Sequence, residues 1–445
     1  MTFRITFALA ACALVGCTDS HAIGSAPAPL APARWAISMD DGVPGYDFAY
    51  TVAFAPDEDV VASGVSGANG VDCYSWITKR ARIDGSERWT KKLTAPGANG
   101  VNLGAHAIAV APDSSVIFAT GFTGTIDIAG TKVGPGRGAL IGKFTSTGEL
   151  AWVHTFGASS SLGFTEVAVD EDGQIFASGA FSAHDTFDTP EGLFGSDGGT
   201  GVVMAFDAAG EYRWTRQFPT ELGFRLGAAG DLVSVTNIDG RTTIHGQTVD
   251  SRAASTPIQV RMMRDGAFAD VHVLGLDEVA ESPVGYAVEA DGRIAMASVI
   301  DPASLAESST SISMSKPDGK RLWTRKNEDG HTHVDTAALA PNGDVMVAGH
   351  FADPTRELGS GSTLGAIFVR IHDASSGAIV SSQTFGSLEW NGESVITSIA
   401  TSASGDVAFG GTVDEAIDFG SGAVGTDAPP NTFDNRAAVI GVFGD

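Results

Sequence analysis

Along this chain apolar and polar residues alternate in short bursts between turn residues, and no apolar stripe with helical spacing persists beyond the first fifteen positions. Alternation with period two marks strands, because successive side chains point to opposite faces. The bursts recur as a unit. An alternating strand leads to an acidic or glycine turn, a second strand ending in small residues and Gly, a long loop, a third strand, a glycine turn, and a fourth strand carrying Trp. The first turn stands at Asp57-Glu58-Asp59, Asp113-Ser114, Asp172-Gly173, Gly230-Asp231, Asp291-Gly292, Asn342-Gly343 and Ser404-Gly405. Its spacing, roughly fifty to sixty residues, lies in the range of propeller blades.

The second turn is sharper. Gly85, Gly148, Gly210 and Gly319 are each followed four residues later by Trp89, Trp152, Trp214 and Trp323. Gly266 and Gly377 hold the same place in units without that Trp. One fourth strand is therefore missing, and Ala33-Arg34-Trp35-Ala36-Ile37, which has no unit before it, supplies it from the other end. The pattern predicts an all-β fold, a seven-bladed β-propeller over 33–445 whose last blade, ending at Ala437 to Phe443, is closed by the N-terminal strand. Closure removes exposed sheet edges, which otherwise invite aggregation. The repeated indole is expected to pack between neighbouring sheets with its N–H on a carbonyl. The fourth unit departs most, with Asn237 in place of the usual Gly and Asp270 in place of Trp.

Composition agrees with this and adds the N-terminus. The chain has 445 residues, 56 of them Gly, and only 18% are charged, which favours turns and short strands over helices. Arg4 precedes an apolar run from Ile5 to Val15, the length of a signal-peptide core and too short for a stable span. The run ends in Leu14-Val15-Gly16-Cys17, which resembles the lipobox of bacterial lipoproteins. That resemblance implies a signal peptide over 1–16, removal after Gly16 and lipid on Cys17. Residues 17–32, rich in Ala, Pro and Ser, read as a flexible tether. Cys12 leaves with the signal and Cys17 carries lipid, so Cys73 stands alone and no internal disulfide forms. Thr18 is not the Asp that retains some lipoproteins at the inner membrane, which points to the outer membrane of the cell envelope, facing either the periplasm or the outside.

The repeat as a whole resembles the β-propeller repeat lipoproteins of bacteria. The likeness rests on units such as Ala105-His106-Ala107-Ile108-Ala109-Val110-Ala111-Pro112-Asp113, Phe118-Ala119-Thr120-Gly121-Phe122 and Gly148-Glu149-Leu150-Ala151-Trp152, and it covers about 34–445. It implies an envelope propeller, and since most such proteins lack an assigned activity it brings no catalytic residues with it.

The formal charge is −26, from 27 basic and 53 acidic residues, which repels nucleic acid and anionic lipid headgroups and suits cationic or metal ligands. In a propeller the loops from each outer strand to the next inner strand gather round the axis on one face. The corresponding windows, 40–47, 94–104, 157–164, 219–222, 275–284, 327–334 and 387–394, contain no Lys or Arg. They predict an acidic collar, with Asp41, Asp47, Asp277, Glu281, Trp390 and Glu393 as ligand-face candidates. Within it, His331 and His333 lie two apart between Asp329 and Asp335, a set expected to hold a divalent metal with help from other blades. The expected role is a non-enzymatic binding or scaffold module, tethered to the membrane by its lipid, with a protein or carbohydrate partner on this face. The alternative is a propeller enzyme, either a quinoprotein-like dehydrogenase or a polysaccharide-acting hydrolase or lyase. The turn Thr147-Gly148-Glu149-Leu150-Ala151-Trp152 resembles the docking motif of quinone-cofactor propellers, but no matching set of cofactor-binding residues accompanies it.

Overall fold

A computed structural model describes residues 27–39, 46–68, 73–95, 107–158, 162–181, 186–195, 201–219, 223–226, 230–251, 253, 255–275, 279–300, 309–326, 332–352, 363–386, 394–425 and 436–444. Among them every regular element is a strand, and the strands form sheets arranged as a β-propeller. Five of the sheets are separate four-stranded units.

With strands 46–94 of an eight-stranded sheet taken as the first sheet and strands 107–157 as the second, the third sheet runs Leu162–Val169, Ile175–Phe181, Gly201–Phe206, Tyr212–Phe218, and the fourth Phe224–Leu226, Leu232–Ile238, Thr256–Met262, Phe268–Val273. The fifth comprises Glu281–Val288, Ile294–Ile300, Ser309–Ser315 and Arg321–Lys326; the sixth Thr332–Leu339, Val345–Ala352, Thr363–His372 and Ile379–Phe385. The last sheet orders Ala33–Ser38, Ala437–Phe443, Val407–Val413 and Val395–Thr401, so the N-terminal strand lies antiparallel on the C-terminal one. The eight strands that follow Ala33–Ser38 in the chain differ from the expected separate units. Tyr46–Phe54, Val60–Ala68, Tyr74–Arg80 and Glu87–Thr94 continue into Val116–Ile128, Thr131–Phe144 and Leu150–Gly157, with Ala107–Val110 paired to Val116–Ile128. The join is two residue pairs, Leu93↔Ile128 and Thr94↔Asp127, made because Val116–Ile128 and Thr131–Phe144 overrun their sheet as a long hairpin.

Burial follows position in the sheet. The middle strands Val407–Val413 and Ala437–Phe443 are buried at every residue, since each is covered on both faces by a neighbouring sheet. The outer strand Glu87–Thr94 buries Trp89 and Leu93 and leaves Glu87, Arg88 and Lys92 exposed. Hydrophobic clusters join neighbouring sheets, and one lies within the eight-stranded sheet. Another joins Trp35, Ala408 and Ile440 to Ala49, Val60 and Trp76, which brings the last sheet against the first.

The tryptophans lock consecutive sheets. Trp35, Trp214 and Trp323 donate their indole N–H to the carbonyls of Arg82 (2.7 Å), Arg264 (3.1 Å) and Ala374 (2.8 Å), each in a turn of the next sheet, and Trp89 donates to Ser146 (3.1 Å) within the eight-stranded sheet. The buried Trp152 N–H departs from the expectation and meets no acceptor among the described residues. The rings lie against glycines of those turns. A Cβ on Gly377, at φ +70°, would sit 2.5 Å from Cε3 of Trp323, so the turn conformation and the indole both exclude a side chain there. The residue two places after the Trp completes the clip: Arg216 and Arg325 bond to the carbonyls of Gly266 (3.0 Å) and Ser376 (3.1 Å). In the fourth sheet Asp270 holds the register place of Trp214 but pairs with Arg261, and His272 fills the space above Gly319.

Residues 27–32, expected to belong to a flexible tether, are docked. Ala28 forms a parallel bridge to Ser381 on the outer edge of the sixth sheet, and the Ala33 N–H donates to Phe419 (2.9 Å). A buried ion cluster fixes the strand that follows. Asp406, 7% exposed, accepts from Arg34 (2.9 Å) and Arg82 (2.7 Å), and Arg82 also reaches Glu58 (3.0 Å).

Candidate functional site: the axial cavity

The inner strands Tyr46–Phe54, Ala107–Val110, Leu162–Val169, Phe224–Leu226, Glu281–Val288, Thr332–Leu339 and Val395–Thr401 all contribute to one cavity of about 580 Å³. Adjacent members of this set touch in turn around the axis. A strand in that place exposes one row of side chains to water and turns the other onto its neighbours, so its pattern decides what the cavity offers.

A bulge alters that pattern in most of the inner strands. The register skips Tyr50, Thr165, Val284, Asp335 and Thr397, and all five line the cavity. The extra residue re-aims the side chains around it and sharpens the local twist. Hydroxyls beside these bulges stitch neighbouring inner strands. Ser398 accepts from the N–H of Val52 (3.1 Å), Thr397 donates to the carbonyl of Ala49, and Thr401 to that of Leu339 (2.6 Å).

Charge in the cavity is mixed. Arg225, from the short inner strand of the fourth sheet, is ion-paired with Glu166 of the third, and its guanidinium lies 5.4 Å from the ring centre of Tyr286 of the fifth. Tyr286 aims its hydroxyl at the carbonyls of Gly223 and Val233 (3.2 Å), which holds the ring as a platform. The Glu166 charge raises the Arg225 pKa further, and burial pushes the Tyr286 phenol up, so at neutral pH one is a cation and the other a neutral phenol. These three groups also border an adjoining cavity of about 320 Å³. On the far side Asp335 bonds Nδ1 of His350 (2.8 Å), and the rings of His350 and His333 stack at 5.4 Å between centres. Burial, then the neighbouring His350, holds the His333 pKa below its usual value.

The residues expected at a ligand face divide three ways. Asp41, Asp277, Trp390, Glu393, Asp329 and His331 lie outside the described residues, as does Cys17. Asp47 and Glu281 are described, but they are buried and turned inward. Asp47 accepts from the N–H of Gly67 (2.8 Å), while Glu281 pairs with Arg321 (3.1 Å) and accepts from Ser311 (3.3 Å). Each carboxylate bonds to donors of its own sheet, because a buried acid must find donors inside the protein. His333 and Asp335 do lie near one another, but Asp335 serves His350. Among the described residues no three His, Cys, Asp or Glu side chains converge as metal ligands. Cys73 is half-buried, and burial followed by the Asp47 charge raises its thiol pKa, so it stays a thiol at neutral pH.

Sequence reasoning passed over Glu166, Arg225 and Tyr286. Their only signal is a charged or phenolic residue in the middle of an inner strand, where flanking apolar residues suggest core. The bulges that set which residues face the axis leave no mark in a period-two pattern.

No family model and no curated protein matches the chain. Solved structures do, at low identity. A Dyadobacter fermentans protein of unknown function aligns at 11% identity and TM-score 0.46, over 94% of this chain and all of its own. Virginiamycin B lyase from Staphylococcus aureus aligns at 11% identity and TM-score 0.46, over 92% and 99%. Acylaminoacyl peptidase of Pyrococcus horikoshii gives 11% and 0.45, over 84% of this chain and 51% of that one.

Proposed function

We propose that this chain is a seven-bladed propeller, exported and anchored to the cell envelope by lipid on Cys17, which acts as a binding module with its ligand on the ring axis. The count of seven treats the eight-stranded sheet as two blades joined at Leu93 and Thr94, and the N-terminal strand as the outer strand of the last blade. Binding rather than catalysis is favoured by one observation. The axial cavity presents a mixed-charge lining on a rigid frame, a permanent cation braced by an acid and an aromatic ring. The acidic collar with Asp41, Asp277, Trp390 and Glu393 would stand at the entrance and concentrate cationic groups, a basic protein segment or a divalent metal among them. A carbohydrate partner is accommodated as well, through the cavity hydroxyls. The anchor places the module at the outer membrane.

The test is a thermal-shift screen of amino acids, short basic peptides, oligosaccharides and divalent cations on the purified protein, repeated on Arg225→Ala. The reading expects at least one class to raise the melting temperature of the wild type and to lose that effect in the variant. A screen in which every shift survives Arg225→Ala, or in which turnover of a bound compound is detected, removes it.

A further inference from the structure

We propose that the outer rim of the fifth and sixth sheets is the surface this ring turns toward the bilayer, with anionic lipid headgroups as its partner. The inference rests on lipidation at Cys17 as proposed above. It starts from where the tether is fixed. Ala28 donates its N–H to Val380 (3.2 Å) and accepts from the N–H of Ser382 (3.1 Å), so the chain joins the outer edge of strand Ile379–Phe385 at its beginning. Nine residues, 18–26, lie between Cys17 and the first described residue. Fully extended, nine residues reach about 31 Å at most. A leash of that length leaving one edge selects which side of the ring meets the membrane.

That side carries the chain's unusual charge. Residues 316–326 hold Lys316, Lys320, Arg321, Arg325 and Lys326 against the single acid Asp318, in a chain whose net charge is −26. Arg321 turns inward to Glu281, while Lys316, Lys320, Arg325 and Lys326 are exposed. Strand Arg321–Lys326 is bound to the tethered sheet, because Trp323 and Arg325 bond to Ala374 and Ser376 in the turn that precedes Ile379. Strand Ile379–Phe385 bears no charge, and apolar side chains stand out on both strands: Leu322 and Val380 are each 43% exposed and Ile379 is 39% exposed. Among the described residues Asp318, Asp373 and Asp344 share the rim, and each accepts from backbone N–H groups of these turns. Basic residues flanking apolar ones fit an interfacial surface, where hydrocarbon enters the headgroup layer and cations meet phosphate. A lysine close to an anionic leaflet gains roughly fivefold in partitioning, and the acidic remainder of the ring is repelled, so the two effects turn the molecule the same way.

Lipidated protein on vesicles of phosphatidylcholine with phosphatidylglycerol, probed by hydroxyl-radical footprinting, tests the proposal. Side-chain labelling of Leu322, Ile379 and Val380 should fall several-fold on these vesicles relative to detergent solution, while Leu193, on an exposed hairpin elsewhere, is unchanged. A variant carrying Lys316→Glu, Lys320→Glu and Lys326→Glu should remain vesicle-bound through its lipid and regain the labelling. Protein that is lipidated and bound, yet labels equally at all four positions, overturns the proposed orientation and leaves the anchor standing. Failure to incorporate lipid at Cys17 overturns the anchor and this inference with it.

Discussion

Removing one indole should weaken the closure of the ring by a calculable amount. Trp35 is 5% exposed, donates to the Arg82 carbonyl at 2.7 Å, and lies beneath Gly85 of the first sheet. Trp35→Ala deletes a large buried aromatic, which costs about 3–5 kcal/mol where the site cannot collapse. It also strips the Arg82 carbonyl of a partner, adding about 1 kcal/mol. A total of roughly 4–6 kcal/mol is a large part of the stability of an ordinary domain. Urea unfolding followed by both circular dichroism and intrinsic fluorescence measures it, with coincidence of the two probes checked first. Leu193→Ala is the control, since Leu193 is 67% exposed and should change stability by no more than about 0.5 kcal/mol. Gly85→Ala presses on the same ring from above: its Cβ would lie 2.7 Å from Cδ2 of Trp35 at φ +69°. The double variant should therefore be less destabilised than the sum of the singles. A Trp35→Ala midpoint equal to that of Leu193→Ala refutes the argument.

Other outcomes follow from the same geometry. Gly377→Ala should cost about 2–4 kcal/mol, from the clash with Trp323 and the left-handed backbone together, read as a lower melting temperature in calorimetry. His372 is 1% exposed, and burial holds its pKa below the ordinary value of about 6.5, while its Nδ1 bonds the Gly377 carbonyl at 3.0 Å. The unfolded chain then takes up the proton first, so stability is full above about pH 6.5 and falls as pH drops toward the lower folded value. His372→Gln should flatten that part of the stability–pH curve by up to about 1.4 kcal/mol per pH unit, and an unchanged slope contradicts the assignment. Cys73 should react with a maleimide at pH 7 well below the rate of a free model thiol, and reach that rate only on unfolding.

Much of the frame was legible because each sheet repeats the same local instructions. The Gly-to-Trp spacing marked turns and outer strands. The surplus of first turns over second turns identified Ala33–Ser38 as the strand that lies on Ala437–Phe443. Those features are short-range and carry their own stereochemistry. The site was less legible. Asp47 and Glu281 read as collar residues because they sit at strand starts in acidic windows, yet each is drawn inward by donors brought from elsewhere, Gly67 for one and Arg321 and Ser311 for the other. The Arg225–Glu166–Tyr286 group escaped notice for the opposite reason. Its members lie about sixty residues apart on three sheets, and only the meeting of inner strands around the axis brings them to one cavity. The docking of Ala28 on the sixth sheet was invisible too, since an Ala-Pro segment shows no strand pattern.

The central claim is that this propeller is shut by the two ends of its own chain. Ser38 lies opposite Val439 in that seam. With Cys73 replaced by Ser, cysteines introduced as Ser38→Cys and Val439→Cys should oxidise to a disulfide in the native protein. The product would run faster than its reduced form on a denaturing gel. A pair that stays reduced in folded protein, with each cysteine open to alkylation, would place the ends apart and contradict the ring.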